Sequence, residues 1–157
     1  GYAHSLGLKN SACIMPGANN GISLESMGRL AALPYLDNIG YDPYWYGESG
    51  VSPYEYVYND TKGALEISNG YEKEHNIWIQ TFGVLKGREE EIIEATAAAY
   101  DAGARCILAW GYKGSESNDY GAENPERTWA MTVEAMRRIR SVERDRIWEE
   151  NRKKYMK

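Results

Sequence analysis

Apolar residues follow two alternating patterns along this chain: short continuous runs, and longer stretches with helical spacing. The short runs are bounded by turn residues, which is typical of buried strands, and they cover residues 10–16, 36–42, 76–82 and 105–110. Each run precedes a stretch whose apolar residues recur every three or four positions, which predicts a helix buried on one side. These stretches begin at Ser23, Ser52, Arg88 and Asn124. The pattern therefore predicts four strand–helix units, with Gly1–Lys9 as the tail of a preceding helix.

The second helix has the clearest start signal. Ser52 is followed by Pro53 and, three residues after the serine, by Glu55. This order matches a capping box, in which the serine side chain accepts a hydrogen bond from a free backbone N–H of the first turn. Asn69 and Gly70 provide a natural end, so the sequence predicts a helix from Pro53 to about Gly70.

Strands that alternate with helices indicate a parallel sheet with right-handed crossovers, and hence an α/β fold. Four such units fit either a small open parallel sheet or half of an eight-unit (β/α)8 TIM barrel. The barrel is favoured because polar and aromatic residues collect at the carboxyl ends of the predicted strands, where barrel enzymes carry their functional groups. The favoured organisation is a (β/α)4 half-barrel over residues 1–140 and a charged helical extension over 141–157. A chain that starts at Gly1, without an initiator methionine, is expected to belong to a larger barrel domain.

The stretch Asn38–Gly47 carries the strongest functional signal. Pro43 cannot donate a backbone hydrogen bond, so the strand is expected to stop at Asp42, and Tyr44 and Trp45 follow at once. A carboxylate beside aromatic rings suits a sugar ring, although the same aromatics also suit a structural loop that caps a core. Further polar and aromatic side chains close the later strands: Gln80, Trp110 and Tyr112.

Composition narrows the possible partners. The chain has 13 Tyr and 5 Trp against a single Phe, which favours wet clefts because Tyr and Trp rings carry a polar group. A net charge of −5 argues against nucleic acid, and no apolar run approaches the roughly 18 residues of a membrane span. Cys13 and Cys106 lie in apolar runs and are predicted to be reduced core thiols. With only His4 and His75 as imidazole ligands, neither a metal nor another cofactor is expected.

Three segments together resemble the C-terminal half of a TIM-barrel glycoside hydrolase: Asn38–Gly47, Ile77–Gly83 and Gly103–Gly114. The resemblance extends over about residues 10–140 and implies that this chain supplies strands five to eight. It also implies that Trp110 forms the floor of the sugar cleft, that Tyr44 or Trp45 lines it, and that the substrate is an oligosaccharide or glycoside. The remaining strands would then come from an N-terminal half of the barrel or from a second copy of the chain.

The chain differs from that family in its carboxyl groups at the strand ends. Glycoside hydrolysis generally uses two carboxyl groups, and the largest clan of these barrels has a glutamate at the end of strand seven, where this chain has Gln80 and Thr81. Asp42 is the one carboxylate at a predicted strand end and becomes the candidate catalytic acid, with burial expected to raise its pKa. Its partner would come from a missing segment, from another chain, or from one of the loop acids Glu48, Glu116 and Asp119. Two alternatives stay open: Asp42 as a hydrogen-bond acceptor for its own loop, and the whole chain as a non-catalytic carbohydrate-binding or structural (β/α) protein.

Overall fold

The four predicted strands form one parallel sheet in the computed structural model, which describes residues 1–15, 23–45, 50–115 and 120–155. The strands lie side by side in chain order, β1 to β4. Their bounds are Ser11–Ile14, Asn38–Tyr41, Glu74–Gln80 and Ile107–Trp110. The strand predictions are thus confirmed, with three strands shorter than predicted and β3 beginning two residues earlier. Strand β3 begins earlier because its first residue already pairs with the neighbouring strand: the N–H of Glu74 donates to the carbonyl of Asp37 at 2.9 Å.

Helices connect the strands as predicted. They are α1 (Tyr2–Ser5), α2 (Leu24–Ala31), α3 (Pro53–Gly70), α4 (Glu91–Asp101) and α5 (Pro125–Tyr155). Three of them have a side-chain cap on a free N–H of the first turn: Ser23 for α2, Ser52 for α3 and Asn124 for α5. Helix α5 continues through the predicted charged extension as far as Tyr155. None of the helices in the described ranges is long and apolar enough to cross a membrane.

Helix α4 begins three residues later than predicted. The N–H of Gly87 donates to the carboxylate of Glu89 at 2.9 Å, and Arg88 pairs with Glu91 at 2.6 Å. These contacts hold residues 87–90 in turns before the first helical residue, Glu91. The acidic run therefore lies at the helix N-terminus, where negative charge is favourable, but mostly outside the helix.

The helices form one layer against the sheet. Helix α3 contacts β2 and β3, helix α4 contacts β3 and β4, and each helix from α2 to α5 contacts the next. This arrangement follows from the strand order, because right-handed crossovers that always advance in one direction leave every helix on the same side. The described chain is therefore an α/β fold with an open, all-parallel four-stranded sheet.

The two faces of the sheet differ in character. Ile39, Ile77 and Ile79 point toward the helices and are fully buried. The other side, here called the open face, carries residues that pair in register across neighbouring strands: Cys13 with Gly40, Gly40 with Asn76, Trp78 with Leu108, and Gln80 with Trp110. A polar row crosses it near the amino ends of the strands, since Asn38 Oδ1 accepts from Ser11 Oγ at 2.9 Å and from Asn76 Nδ2 at 2.5 Å. The open face thus combines polar, aromatic and small side chains, whereas the face toward the helices carries isoleucines.

The prediction that both cysteines are core thiols is wrong. Cys13 and Cys106 are free, as predicted, but both are exposed. Strand alternation explains the outcome for Cys13: successive side chains point to opposite faces, and Ile14 takes the buried position. An apolar run indicates a strand, but it does not indicate which of its residues face the helices.

Candidate functional site

Asp42 follows directly after β2 and is fastened to β1 by its backbone. Its N–H donates to the carbonyl of Ile14 at 3.0 Å. Its carboxylate accepts two side-chain hydrogen bonds: the Cys13 thiol donates to Oδ1 at 2.8 Å, and the Tyr44 hydroxyl is the second donor. Asp42 therefore lies at the carboxyl end of the strands with a defined orientation.

The electrostatics of Asp42 are those of a partly desolvated acid. Burial raises the pKa of the carboxyl above its ordinary value of 3.8, while the hydrogen bonds from Cys13 and Tyr44 oppose that rise. This direction is the one expected from the sequence. In the alternative, backbone N–H groups of the following turn would bind the carboxylate and lower its pKa. The N–H of Tyr44 instead donates to the backbone carbonyl of Asp42, at 2.8 Å.

Tyr44 connects Asp42 to the end of β3. Its ring packs edge-to-face on Phe82 with centroids 4.9 Å apart, an arrangement that the ring quadrupoles favour. Burial and the neighbouring Asp42 carboxylate raise the pKa of the Tyr44 hydroxyl, so it remains a proton donor at neutral pH. We call Cys13, Asp42, Tyr44 and Phe82 the strand-end cluster.

Trp45 is buried, whereas a residue that lines a cleft is expected to be exposed. It is 5% exposed, and its indole N–H donates to Glu91 Oε2 at 2.8 Å. This contact fastens the loop after β2 to the first residue of α4. The ring is packed into the core and offers no open surface, which favours the structural alternative for this residue.

Gln80 is also enclosed. It is 1% exposed, and its side-chain amide donates to the carbonyl of Phe82 at 3.0 Å. The next residue, Thr81, is fully buried and uses its hydroxyl to bind the carbonyls of Trp110 and Gly111. The hydrogen bonds of Gln80 and Thr81 fix the chain at the end of β3, and the Gln80 side chain does not reach the surface.

Aromatic side chains at the end of β4 remain accessible. Trp110 is 50% exposed and Tyr112 is 66% exposed. The Trp110 ring packs edge-to-face on Trp78, with centroids 6.1 Å apart, and Tyr112 packs on Trp129 at 4.8 Å. Each ring is thus held by a neighbour while part of it stays open to a ligand. We call Trp78, Trp110, Tyr112 and Trp129 the aromatic rim.

Side chains from both neighbouring strands occupy the space above Gly40. A Cβ atom at Gly40 would lie 2.5 Å from Asn76 Oδ1, 2.9 Å from Cys13 Sγ and 3.1 Å from Trp78 Nε1. Such separations are too short for any side chain, so the contacts depend on glycine. The indole nitrogen of Trp78, from the aromatic rim, and the thiol of Cys13, from the strand-end cluster, therefore both lie beside Gly40.

Asp37, at the amino end of β2, is a carboxylate whose pKa is lowered and not raised. Asp37 accepts from the backbone N–H of Asn10 at 2.7 Å and lies 2.7 Å from His4 Nε2. The hydrogen bond from Asn10 and the one from His4 hold the pKa of Asp37 below its ordinary value. Two carboxylates at the two ends of one strand thus have pKa values displaced in opposite directions, and Asp42 is the one suited to proton donation.

Sequence reasoning missed Cys13, Gly40 and Trp78 as members of this region. Strand alternation places Trp78 on the same face as Gln80, and this signal was available in the sequence. The roles of Cys13 and Gly40 required the register Cys13↔Gly40↔Asn76, which no local pattern supplies. The three loop acids considered as partners of Asp42, namely Glu48, Glu116 and Asp119, lie outside the described residues.

No family model, curated protein or solved structure matches this chain.

Proposed function

We propose that this chain belongs to a carbohydrate-active barrel that resembles a glycoside hydrolase and acts at the carboxyl ends of its strands. Asp42 is the proton donor to the glycosidic oxygen, and Trp110 and Tyr112 bind the sugar. The observation that carries the proposal is the combination of a carboxyl group with a raised pKa and exposed aromatic rings at the same end of one parallel sheet. A general acid must retain its proton near the working pH, and flat aromatic faces suit the apolar faces of sugar rings.

The sheet supports the half-barrel part of the proposal. Its four strands are sequential and parallel with the helices in one layer, which is the arrangement of consecutive units in a (β/α)8 barrel. A cavity of about 780 Å³ lies between β4 and α5, with Ile107, Met136 and Ile139 among its lining residues. A further strand beside β4 would fill this space. An N-terminal half of the barrel or a second copy of the chain would supply it.

A non-catalytic carbohydrate-binding or structural (β/α) protein is the second candidate. One observation favours it: within the described ranges, Asp42 is the one carboxylate that follows a strand, whereas hydrolysis generally uses two. The aromatic rim would serve either function. Hydrolysis and binding must therefore be measured separately.

The test is a titration of the chain with a panel of soluble oligosaccharides, followed by intrinsic tryptophan fluorescence. We expect Trp110→Ala to weaken binding at least about tenfold, or about 1.4 kcal/mol, because it removes the largest exposed ring at the site. Trp148→Ala is the matched control, since Trp148 is 59% exposed on α5 and its removal should leave the affinity unchanged. Equal affinities of the wild-type and Trp110→Ala proteins would reject the proposed sugar site.

A further inference from the structure

A residue on the neighbouring strand β1 binds the carboxylate of Asp42. Cys13 lies on β1, one register step below the pair Ile14↔Tyr41, and its side chain is on the open face beside Gly40. From there its thiol reaches forward to Asp42 Oδ1 at 2.8 Å. The backbone of the same strand accepts the N–H of Asp42 through Ile14 at 3.0 Å. Strand β1 therefore fixes both the main chain and the side chain of this residue.

The space for this contact is provided by the residue opposite Cys13. A Cβ on Gly40 would lie 2.9 Å from Cys13 Sγ, so any larger residue at position 40 would push the thiol from its place. Tyr44 supplies the second donor to Asp42 from the following loop, and its ring is in turn held by Phe82. Two donors from two different segments leave the carboxylate little rotational freedom.

We propose that Cys13 is a positioning residue for Asp42, which fixes the orientation of the carboxylate and sets the pH range over which it carries a proton. A thiol that donates to a carboxylate stabilises the ionised form of the carboxyl, and its removal favours the protonated form. Although Cys13 is exposed as a residue, desolvation of its thiol, and then the hydrogen bond to Asp42 and its charge, raise the pKa of Cys13 to about 12, so the thiol stays protonated at neutral pH. In the described part of the chain, Cys13 from β1 and Tyr44 from the loop after β2 are the titratable groups that shift Asp42. Only the catalytic consequence of this inference rests on the proposed function.

The experiment follows the side-chain carboxyl ¹³C resonance of Asp42 as a function of pH. In Cys13→Ala the midpoint should rise by roughly one unit, because a hydrogen bond to the charged form is lost. Cys13→Ser is the matched control, since its hydroxyl is a donor of similar size, and its midpoint should stay closer to the wild type than to the alanine variant. An unchanged midpoint in a folded Cys13→Ala protein overturns the inference.

A second measurement does not require a Cys13 variant to fold. Alkylation of the wild-type protein by iodoacetamide should modify Cys106 well before Cys13, and Asp42→Asn should accelerate modification of Cys13 about tenfold, because the anion that disfavours the thiolate is gone. Cys106 provides the internal reference in each reaction, since it is also free and exposed. A Cys13 rate that does not respond to Asp42→Asn overturns the inference.

Different results would reject the positioning role of Cys13 and the proposed carbohydrate function. If the Asp42 midpoint moves in Cys13→Ala but no oligosaccharide binds, the positioning role stands and the carbohydrate function is rejected. If the protein hydrolyses a glycoside, the alkaline limb of its pH–rate profile should move to higher pH in Cys13→Ala. The reason is that Asp42 then stays protonated up to a higher pH. A purely structural role for Cys13 would lower the amount of active protein without moving that limb.

Discussion

Asp42→Asn is expected to slow the hydrolysis of an unactivated oligosaccharide by about 10²–10⁴-fold, which is the usual contribution of a positioned general acid. The asparagine amide keeps the shape of the side chain, and its one carbonyl oxygen can still accept a hydrogen bond from Cys13 or Tyr44. It cannot, however, give a proton to the leaving oxygen. The measurement is the initial rate of reducing-sugar release by wild-type and variant proteins on the same substrate.

Two controls separate the loss of the acid from a loss of structure. A nitrophenyl glycoside has a leaving group that departs with little protonation, so Asp42→Asn should slow its hydrolysis far less than that of the oligosaccharide. Asp37→Asn changes a carboxylate at the other end of β2 and should leave both rates unchanged, although it should lower stability. Undiminished hydrolysis of the oligosaccharide by folded Asp42→Asn protein would assign Asp42 to the scaffold.

The stability of Asp42→Asn provides an independent check of the same assignment. The pKa of Asp42 is raised on folding, so its contribution to stability is fully present below the unfolded-state pKa and is lost as the pH rises through the folded-state value. Above the folded-state pKa the ionised carboxylate costs stability, a cost that the neutral asparagine does not impose. Chemical denaturation over a range of pH should therefore show the stability of the variant, relative to the wild type, increasing as the pH rises.

Gly40→Ala is expected to destabilise the fold by about 1–3 kcal/mol, the usual cost of forcing an extra methyl group into a packed site. The added Cβ would lie within 3 Å of both Asn76 Oδ1 and Cys13 Sγ. Both side chains must move, and their movement disturbs the hydrogen bonds to Asn38 and Asp42. Urea denaturation followed by circular dichroism measures the change.

Gly28→Ala is the matched control for this substitution. Gly28 lies in α2, and a Cβ there would approach nothing more closely than Tyr71 Cε2 at 4.0 Å. Alanine is favoured over glycine in a helix interior by up to about 1 kcal/mol, so this variant should be as stable as the wild type or more stable. Equal effects of the two substitutions would contradict the crowding inferred at Gly40.

Much of the fold was predictable because its signals are local. The capping box at Ser52 and the apolar runs of the strands each depend on a few neighbouring residues, and the alternation of strand and helix then constrains the connections. The start of α4 was predicted less well, because Glu89 binds the backbone N–H of Gly87 in a turn and does not continue the helix. The burial of individual strand residues was also less predictable, since it depends on which face receives the helices.

The candidate site was predictable only in part. The position of Asp42 at the end of β2 followed from Pro43, and the accessible position of Trp110 followed from its place at the end of β4. The burial of Trp45 did not follow, because it depends on Glu91, which lies 46 positions away in the sequence. The contact between Cys13 and Asp42 likewise depends on the strand register, which is set by the packing of the whole sheet.

The most direct test of a carbohydrate site at the strand ends is an NMR titration of the isotopically labelled chain with an oligosaccharide identified by the fluorescence panel. We expect the resonances of Asp42 and Tyr44 and the indole signals of Trp78 and Trp110 to shift together and to saturate at one ligand concentration. The indole of Trp148, on α5, should not move. Shifts confined to the cavity between β4 and α5, or no saturable shift with any sugar in the panel, would exclude a carbohydrate site at the strand ends.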